Sequence, residues 1–148
     1  MKLTEITRED VIENCEKYYN NKQHFLIRRK YTKGLTSEYI SASMSFRNGR
    51  REITGYGFHS GENDWCSSYD LDDNEIQHIY LCELEKETAN KILKGLRDGI
   101  EFDTLFEKFV VTNPLDYYLY NHVRKEISTL LTPEERKKMK ADGILYDN

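Results

Sequence analysis

The period of the apolar positions changes along this chain, from alternation in the first half to helical spacing in the second. Thr7 is placed to cap a first helix whose apolar face begins at Val11. Four later segments show the alternation or the short apolar runs that are typical of β-strands. These predicted strands are residues 23–31, 38–46, 50–58 and 76–84.

The central hairpin is the most specific of these predictions. Asn48-Gly49 lies between two alternating segments, and this dipeptide is a strong signal for a two-residue turn. Such a turn places Met44 opposite Ile53 and Phe46 opposite Arg51, with the first pair on the core face. The segment 76–84 is fairly apolar on both faces, so we expect it inside the sheet or under a helix. Residues 59–75 are polar and acidic, and we expect an irregular loop there.

The second half of the chain has the spacing of amphipathic helices. Asn113-Pro114 and Thr132-Pro133 are typical helix starts, and Gly99 and Gly143 are typical helix ends. The predicted fold is α+β, with a four-stranded, mostly antiparallel meander, one N-terminal helix and about four C-terminal helices packed on the sheet. The apolar residues that we expect to cover the sheet are Leu93, Leu96, Phe106, Phe109, Leu119 and Val123.

Length and composition narrow the class of protein. The 148 residues fit one domain spanning 1–148, and no apolar run approaches the roughly 20 residues that cross a bilayer. The first residues lack an apolar signal-peptide segment, so we expect a cytoplasmic protein without a membrane partner. The three cysteines form no CxxC pair, which indicates neither a disulfide framework nor a thiolate zinc site. The oligomeric state is not predicted.

Charge is segregated along the sequence. Residues 21–58 hold eight basic and two acidic residues, whereas residues 59–85 hold eight acidic residues and no lysine or arginine. The formal net charge of the chain is −4. The two blocks can neutralise each other within the fold, or they can face a charged partner and steer its approach. Both interpretations stay open at this point.

Catalytic and metal-binding motifs are weak. His59 stands near Glu62, Asp64 and Cys66, but a catalytic site requires groups that converge in space. The segment that begins at Asp70 has oxygens at three positions of a calcium loop, yet it lacks the glycine and the final glutamate of an EF-hand. We therefore predict no catalytic residue, no metal and no cofactor. A small enzyme with a site near His59 ranks third among the possible functions.

Two binding hypotheses rank higher. The first is a non-enzymatic module, of the accessory or inhibitor type that phages and mobile elements encode, which engages a protein partner through an acidic segment. The residues of this acidic segment are Glu62, Asp64, Asp70, Asp72, Asp73 and Glu75. The alternative is a nucleic-acid-binding module that uses the basic hairpin region 21–58, because aromatic side chains on a basic sheet can stack on bases. The candidate aromatic and basic contact residues are Tyr39, Tyr56, Arg28, Lys30, Arg50, Arg51, Tyr117, Tyr120 and Arg124.

Overall fold

The computed structural model describes residues 1–29, 39–47, 50–58, 64–70 and 76–146. In these ranges the chain forms six strands, six α-helices and one 3₁₀ helix, which confirms the α+β class. The chain divides into two compact units. The sheet unit spans Lys2–Glu83, and the helical unit spans Leu84–Asn148 together with Met1. That the later helices pack on the sheet within one domain stays a prediction.

The sheet unit contains every strand that the structure describes, together with two short helices. In chain order its elements are β1 (Lys2–Ile6), α1 (Arg8–Glu13), α2 (Cys15–Asn20), β2 (His24–Arg29), β3 (Tyr39–Arg47), β4 (Arg50–Phe58), β5 (Asp64–Asp70) and β6 (Ile76–Glu83). All four predicted strands are present, and where the adjoining residues are described, their ends agree with the prediction to within one residue. The predicted count of four was wrong, because β1 and β5 also belong to the sheet.

The strand order also differs from a simple meander. The six strands follow the order β1-β6-β2-β3-β4-β5, and each neighbouring pair is antiparallel. The meander covers β2 to β5, whereas β6 returns past it and pairs with β2 on one side and β1 on the other. The interior position expected for β6 is therefore confirmed. The expected loop at 59–75 was wrong in part, since residues 64–70 form the edge strand β5.

The central hairpin has the register that the Asn48-Gly49 dipeptide predicts. Met44 pairs with Ile53, and Phe46 pairs with Arg51. Met44 and Ile53 are both buried, so the predicted core face is confirmed. The turn residues themselves lie outside the described ranges.

Two short helices, instead of the single predicted one, contribute to the core on this face. The Thr7 hydroxyl accepts a hydrogen bond from the Asp10 N–H, as expected of an N-cap. The helix is interrupted at Asn14, whose side-chain amide donates to the Asp10 carbonyl at 2.9 Å. Asparagine competes in this way with the backbone ladder, so α1 ends and α2 begins. Val11, Cys15 and Tyr18 pack from α1 and α2 into the cluster that contains Met44 and Ile53.

The helical unit has its own apolar core. Its elements are α3 (Lys86–Arg97), α4 (Phe102–Phe109), a 3₁₀ helix (Pro114–Leu119), α5 (Tyr120–Thr129) and α6 (Pro133–Ala141). The predicted inward residues that are buried are Leu93, Leu96, Phe106, Leu119 and Val123. Phe109 is only half-buried, and the ammonium groups of Lys91 and Lys108 lie over its ring.

Both Pro-containing helix starts form capping boxes. Asn113 caps the 3₁₀ helix with Asp116 as its reciprocal partner, and Thr132 caps α6 with Glu135. Arg97 adds an ion pair to Glu135 at 2.8 Å, which ties the end of α3 to the start of α6. None of the helices in the described part of the chain combines the length and the apolar character that crossing a membrane requires.

Candidate functional site

A group of polar and aromatic residues shares one face of the sheet, opposite the face covered by α1 and α2. The register pairs Arg28 with both Tyr39 and His78, and it pairs Glu5 with Tyr80. Residues directly opposite each other on adjacent antiparallel strands point to the same side of the sheet. We call these five residues from four strands the sheet platform: Glu5, Arg28, Tyr39, His78 and Tyr80.

The cationic part of the platform is Arg28. Its guanidinium carbon lies 6.0 Å from the centroid of the Tyr39 ring, a cation–π geometry. The register of β2 and β6 shifts between Arg28 and Arg29, which marks a bulge or an irregularity. Bulges are frequent where a strand re-aims a side chain at a functional site. The platform therefore presents a positive charge and an aromatic ring side by side.

A second aromatic pair lies on β6. The rings of His78 and Tyr80 are stacked, with centroids 6.3 Å apart and an interplanar angle of 21°. His78 Nδ1 lies 2.9 Å from the Glu5 carboxylate oxygen Oε1, so β1 holds the imidazole from the other side. The His78 and Glu5 side chains are 39% and 56% exposed, which leaves both within reach of a ligand and of solvent protons.

The environment of Tyr80 shows that the platform residues influence one another electrostatically. Burial raises the pKa of the Tyr80 hydroxyl, and the nearby Glu5 carboxylate and Tyr39 raise it further. The positive charge of Arg28 acts in the opposite direction on the same pKa. Tyr80 therefore stays neutral at physiological pH, and its hydroxyl can donate a hydrogen bond to a ligand.

The same face becomes less polar towards the other end of β2. Leu26 is fully buried and stands opposite both Tyr80 and Ser41. The imidazole Nε2 of His24 is hydrogen-bonded to the Ser41 hydroxyl. Cys82 stands opposite His24 and is buried. Because Leu26 and Cys82 are buried, this end of the face offers little apolar surface to a ligand.

For several of the predicted contact residues the structure describes only the backbone, and one of them lies entirely outside the described ranges. Tyr56 pairs with Ser41, while Arg50 pairs with Arg47. Their side chains and that of Arg51 lie outside the described part. Lys30, at the end of the same basic region, is also outside it. The structure therefore brings together Arg28 and Tyr39 from the predicted basic face, and the others stay predictions.

The acidic segment is described only in part. Asp64 pairs with Phe58 and Asp70 pairs with Glu52, at the two ends of the edge strand β5. His59 and the remaining acidic residues, Glu62, Asp72, Asp73 and Glu75, lie outside the described residues. Their proposed role in partner binding stays a prediction.

The tyrosines of the predicted helical surface make contacts inside the helical unit. The Tyr117 hydroxyl donates to Glu107 at 2.8 Å, and the Tyr120 hydroxyl donates to Asp103. The Tyr120 ring packs on Phe106 at 5.2 Å, while the Arg124 guanidinium lies 5.7 Å from its centroid. These contacts tie the Tyr117–Tyr120 segment to α4, and they give both tyrosines a role in packing. Their role in partner binding stays a prediction.

Sequence reasoning missed three platform residues. His78 and Tyr80 were not among the candidate contact residues, and Glu5 lay in a segment that was not predicted to be a strand. The spacing of His78 and Tyr80 placed them on one face of the predicted strand 76–84, and this signal was available. No spacing rule could bring Glu5 beside them, because the pairing of β1 with β6 joins residues more than 70 positions apart.

The groups available on the platform can stack, make cation–π contacts and form hydrogen bonds. It combines flat rings, one guanidinium, an imidazole and a carboxylate within four adjacent strands. Within the described ranges, no group of three or more His, Cys, Asp or Glu residues is arranged to hold a metal ion. Comparisons of the chain with models of protein families, with curated proteins and with solved structures found no match.

Proposed function

We propose that this protein is a non-enzymatic binding module that holds single-stranded nucleic acid on the sheet platform. The observation that carries the proposal is the cation–π pair of Arg28 and Tyr39 beside the stacked pair of His78 and Tyr80. Bases of single strands stack on aromatic side chains and on guanidinium planes, and phosphates interact with the same cation. We also propose that the protein acts in the cytoplasm.

The charge distribution also supports nucleic-acid binding at the sheet platform. The region 21–58, which contributes β2, β3 and β4, holds eight basic residues and two acidic ones. The formal charge of the whole chain is −4, so a general attraction to polyanions is not expected. Binding should depend instead on the local platform, and it should weaken with salt in proportion to the few phosphates contacted.

A filter-binding or anisotropy assay with a short labelled oligouridylate, at low and at moderate salt, tests the proposal. Tyr39→Ala should weaken binding by roughly five- to a hundredfold, the range of one lost base stack. Arg28→Ala should weaken binding and reduce the salt slope by about one. Tyr146→Ala is the matched control, because Tyr146 is an exposed tyrosine of the helical unit. If the wild type does not bind the oligouridylate at low salt, the proposal is wrong.

A protein partner engaged by the acidic segment is the second candidate function, with the protein acting as an inhibitor or accessory factor. It is supported by the eight acidic residues of 59–85 and by the register that sets Asp70 opposite Glu52. A segment with this excess of negative charge is expected to attract a basic partner. Among the described residues, Glu52 Oε2 is a buried oxygen without a hydrogen-bond partner.

A capture experiment from a lysate separates this second function from the first. The wild type should retain a basic protein at low salt. A variant with Asp70, Asp72 and Asp73 changed to Asn and Glu75 changed to Gln should lose it. Equal retention by both chains would identify the acidic segment as a solvated loop, without affecting the oligonucleotide result.

A further inference from the structure

Glu5 supplies the carboxylate of the sheet platform, and its side chain is 56% exposed. On a surface that holds a nucleic-acid strand, a carboxylate repels the phosphates of that strand. An ionised carboxylate accepts hydrogen bonds and donates none, so its favourable partners on the strand are the N–H groups of the bases. The position of Glu5 therefore suits contact with a base and not with the backbone of the strand.

The Glu5 carboxylate lies beside the aromatic residues of β6. Its oxygen Oε1 is 2.9 Å from His78 Nδ1, and Glu5 stands directly opposite Tyr80 in the register of β1 and β6. Burial, and then the nearby Glu5 carboxylate, raise the pKa of the Tyr80 hydroxyl, so this hydroxyl stays protonated and can donate a hydrogen bond. The two strands therefore present a neutral hydrogen-bond donor beside a carboxylate acceptor.

This pair of groups complements the Watson–Crick edge of guanine better than that of the other bases. Guanine presents an acceptor, O6, beside two donors, N1–H and the 2-amino group. Uracil presents a single donor between two acceptors, so one of its carbonyl oxygens would face the carboxylate. Cytosine and adenine each offer the carboxylate only one amino group. Unpaired bases are commonly recognised through this edge while they stack on an aromatic side chain.

We infer that Glu5 and Tyr80 read a guanine base on the sheet platform, so that the protein prefers single strands that contain guanine. This inference rests on the proposed function and deepens it by naming the base. The Glu5 carboxylate accepts from N1–H and from the 2-amino group, the Tyr80 hydroxyl donates to O6, and the base stacks on a neighbouring ring of the platform.

The size of the preference follows from hydrogen-bond readout. A well-formed bidentate contact to a base discriminates against the wrong base by roughly five- to 150-fold. The lower part of this range applies to half-exposed side chains, because binding must order them and displace their water. We therefore expect one guanosine within an oligouridylate to tighten binding by roughly five- to twentyfold. The uridine strand still binds, because stacking does not depend on the edge of the base.

The experiment compares a labelled oligouridylate with the same strand carrying one central guanosine or one central inosine, by anisotropy at constant pH and salt. The wild type should bind the guanosine strand most tightly. Inosine lacks only the 2-amino group, so it should lose part of that gain. In Glu5→Gln and in Tyr80→Phe, the ratio of the affinities for the guanosine and uridine strands should fall, because each variant lacks one partner of the guanine edge.

Two matched controls lie on the opposite side of the sheet. Glu83 is an exposed glutamate of β6, three positions from Tyr80 and therefore on the other face of the strand. Tyr19 is an exposed tyrosine of α2 whose ring packs against Phe46. Glu83→Gln and Tyr19→Phe should keep the full preference for the guanosine strand.

The outcomes separate this inference from the proposed function. Equal affinity of the wild type for the guanosine and uridine strands overturns the readout and leaves the proposed function standing. The full preference for guanosine in Glu5→Gln or in Tyr80→Phe also overturns it. If neither variant folds by circular dichroism, the inosine strand decides with the wild type alone, and equal affinity for guanosine and inosine overturns the readout. A wild type that binds none of the strands overturns both the proposed function and the readout.

Discussion

Replacement of Gly95 in α3 should reveal how closely α3 and α4 approach each other. A methyl group added at Gly95 would stand 2.4 Å from Leu105 Cδ2, 2.9 Å from Cδ1 and 3.2 Å from Cγ. Leu105 is 2% exposed, so its side chain has little room to move away. The whole isobutyl group, and not one methyl alone, would have to shift.

Two opposing effects set the expected magnitude for Gly95→Ala. Alanine inside a helix stabilises by about 1 kcal/mol relative to glycine. Overpacking of a buried site costs about 1–3 kcal/mol. We therefore expect the free energy of unfolding to fall by about 1 kcal/mol. In a Leu105→Ala background, which by itself should cost about 2–5 kcal/mol, the clash is absent and the same substitution should be stabilising.

A double-mutant cycle measures this coupling. Unfolding by urea, followed by far-ultraviolet circular dichroism, gives the free energies of the four proteins. The effects of Gly95→Ala in the two backgrounds should differ by about 2 kcal/mol. If Gly95→Ala stabilises the protein in both backgrounds by the same amount, α3 and α4 are not in the close contact described here.

Three further predictions concern other parts of the fold. Hydrogen bonds from Arg97 and from Thr132 lower the pKa of Glu135 from its usual value of 4.5 to about 2. The stability that this carboxylate adds is therefore complete above pH 4.5 and is lost as the pH falls through about 2. Melting curves of Glu135→Gln should differ from those of the wild type at neutral pH and approach them over that acidic range. Burial and the Asp103 hydrogen bond raise the pKa of Tyr120 from its usual 10.0 to about 12. The stability that this tyrosine adds is therefore complete below its usual pKa and is lost as the pH rises from there through about 12, and Tyr120→Phe should remove a tyrosinate absorbance step near pH 12. Ile53→Ala should cost about 2–5 kcal/mol in urea unfolding, because Ile53 is fully buried, and a loss below 1 kcal/mol would contradict the core.

Local signals predicted local structure well. Thr7, Asn113 and Thr132 all cap the elements that they were expected to start. The Asn48-Gly49 dipeptide predicted the pairing of Met44 with Ile53, because a two-residue turn leaves one register that buries both. These features depend on residues within about ten positions of one another.

Edge strands and strand order were not predictable in the same way. β1 and β5 are edge strands with few apolar positions, so neither has a continuous hydrophobic face in the sequence. The place of β6 beside β2 depends on contacts between distant residues such as Leu26 and Tyr80. Sequence reasoning found two of the five platform residues, Arg28 and Tyr39, and these two lie on strands that follow each other in the sequence and pair in the sheet.

Photo-cross-linking of a thiouridine-containing oligonucleotide, followed by mass spectrometry of the peptides, tests the central claim most directly. The sheet platform predicts cross-links at Tyr39 and Tyr80, which are lost in the presence of excess unlabelled oligouridylate. Arg28→Ala should reduce their yield, and Tyr146→Ala should leave it unchanged. Cross-links confined to the helical unit, or an absence of specific cross-links on β3 and β6, would contradict the account.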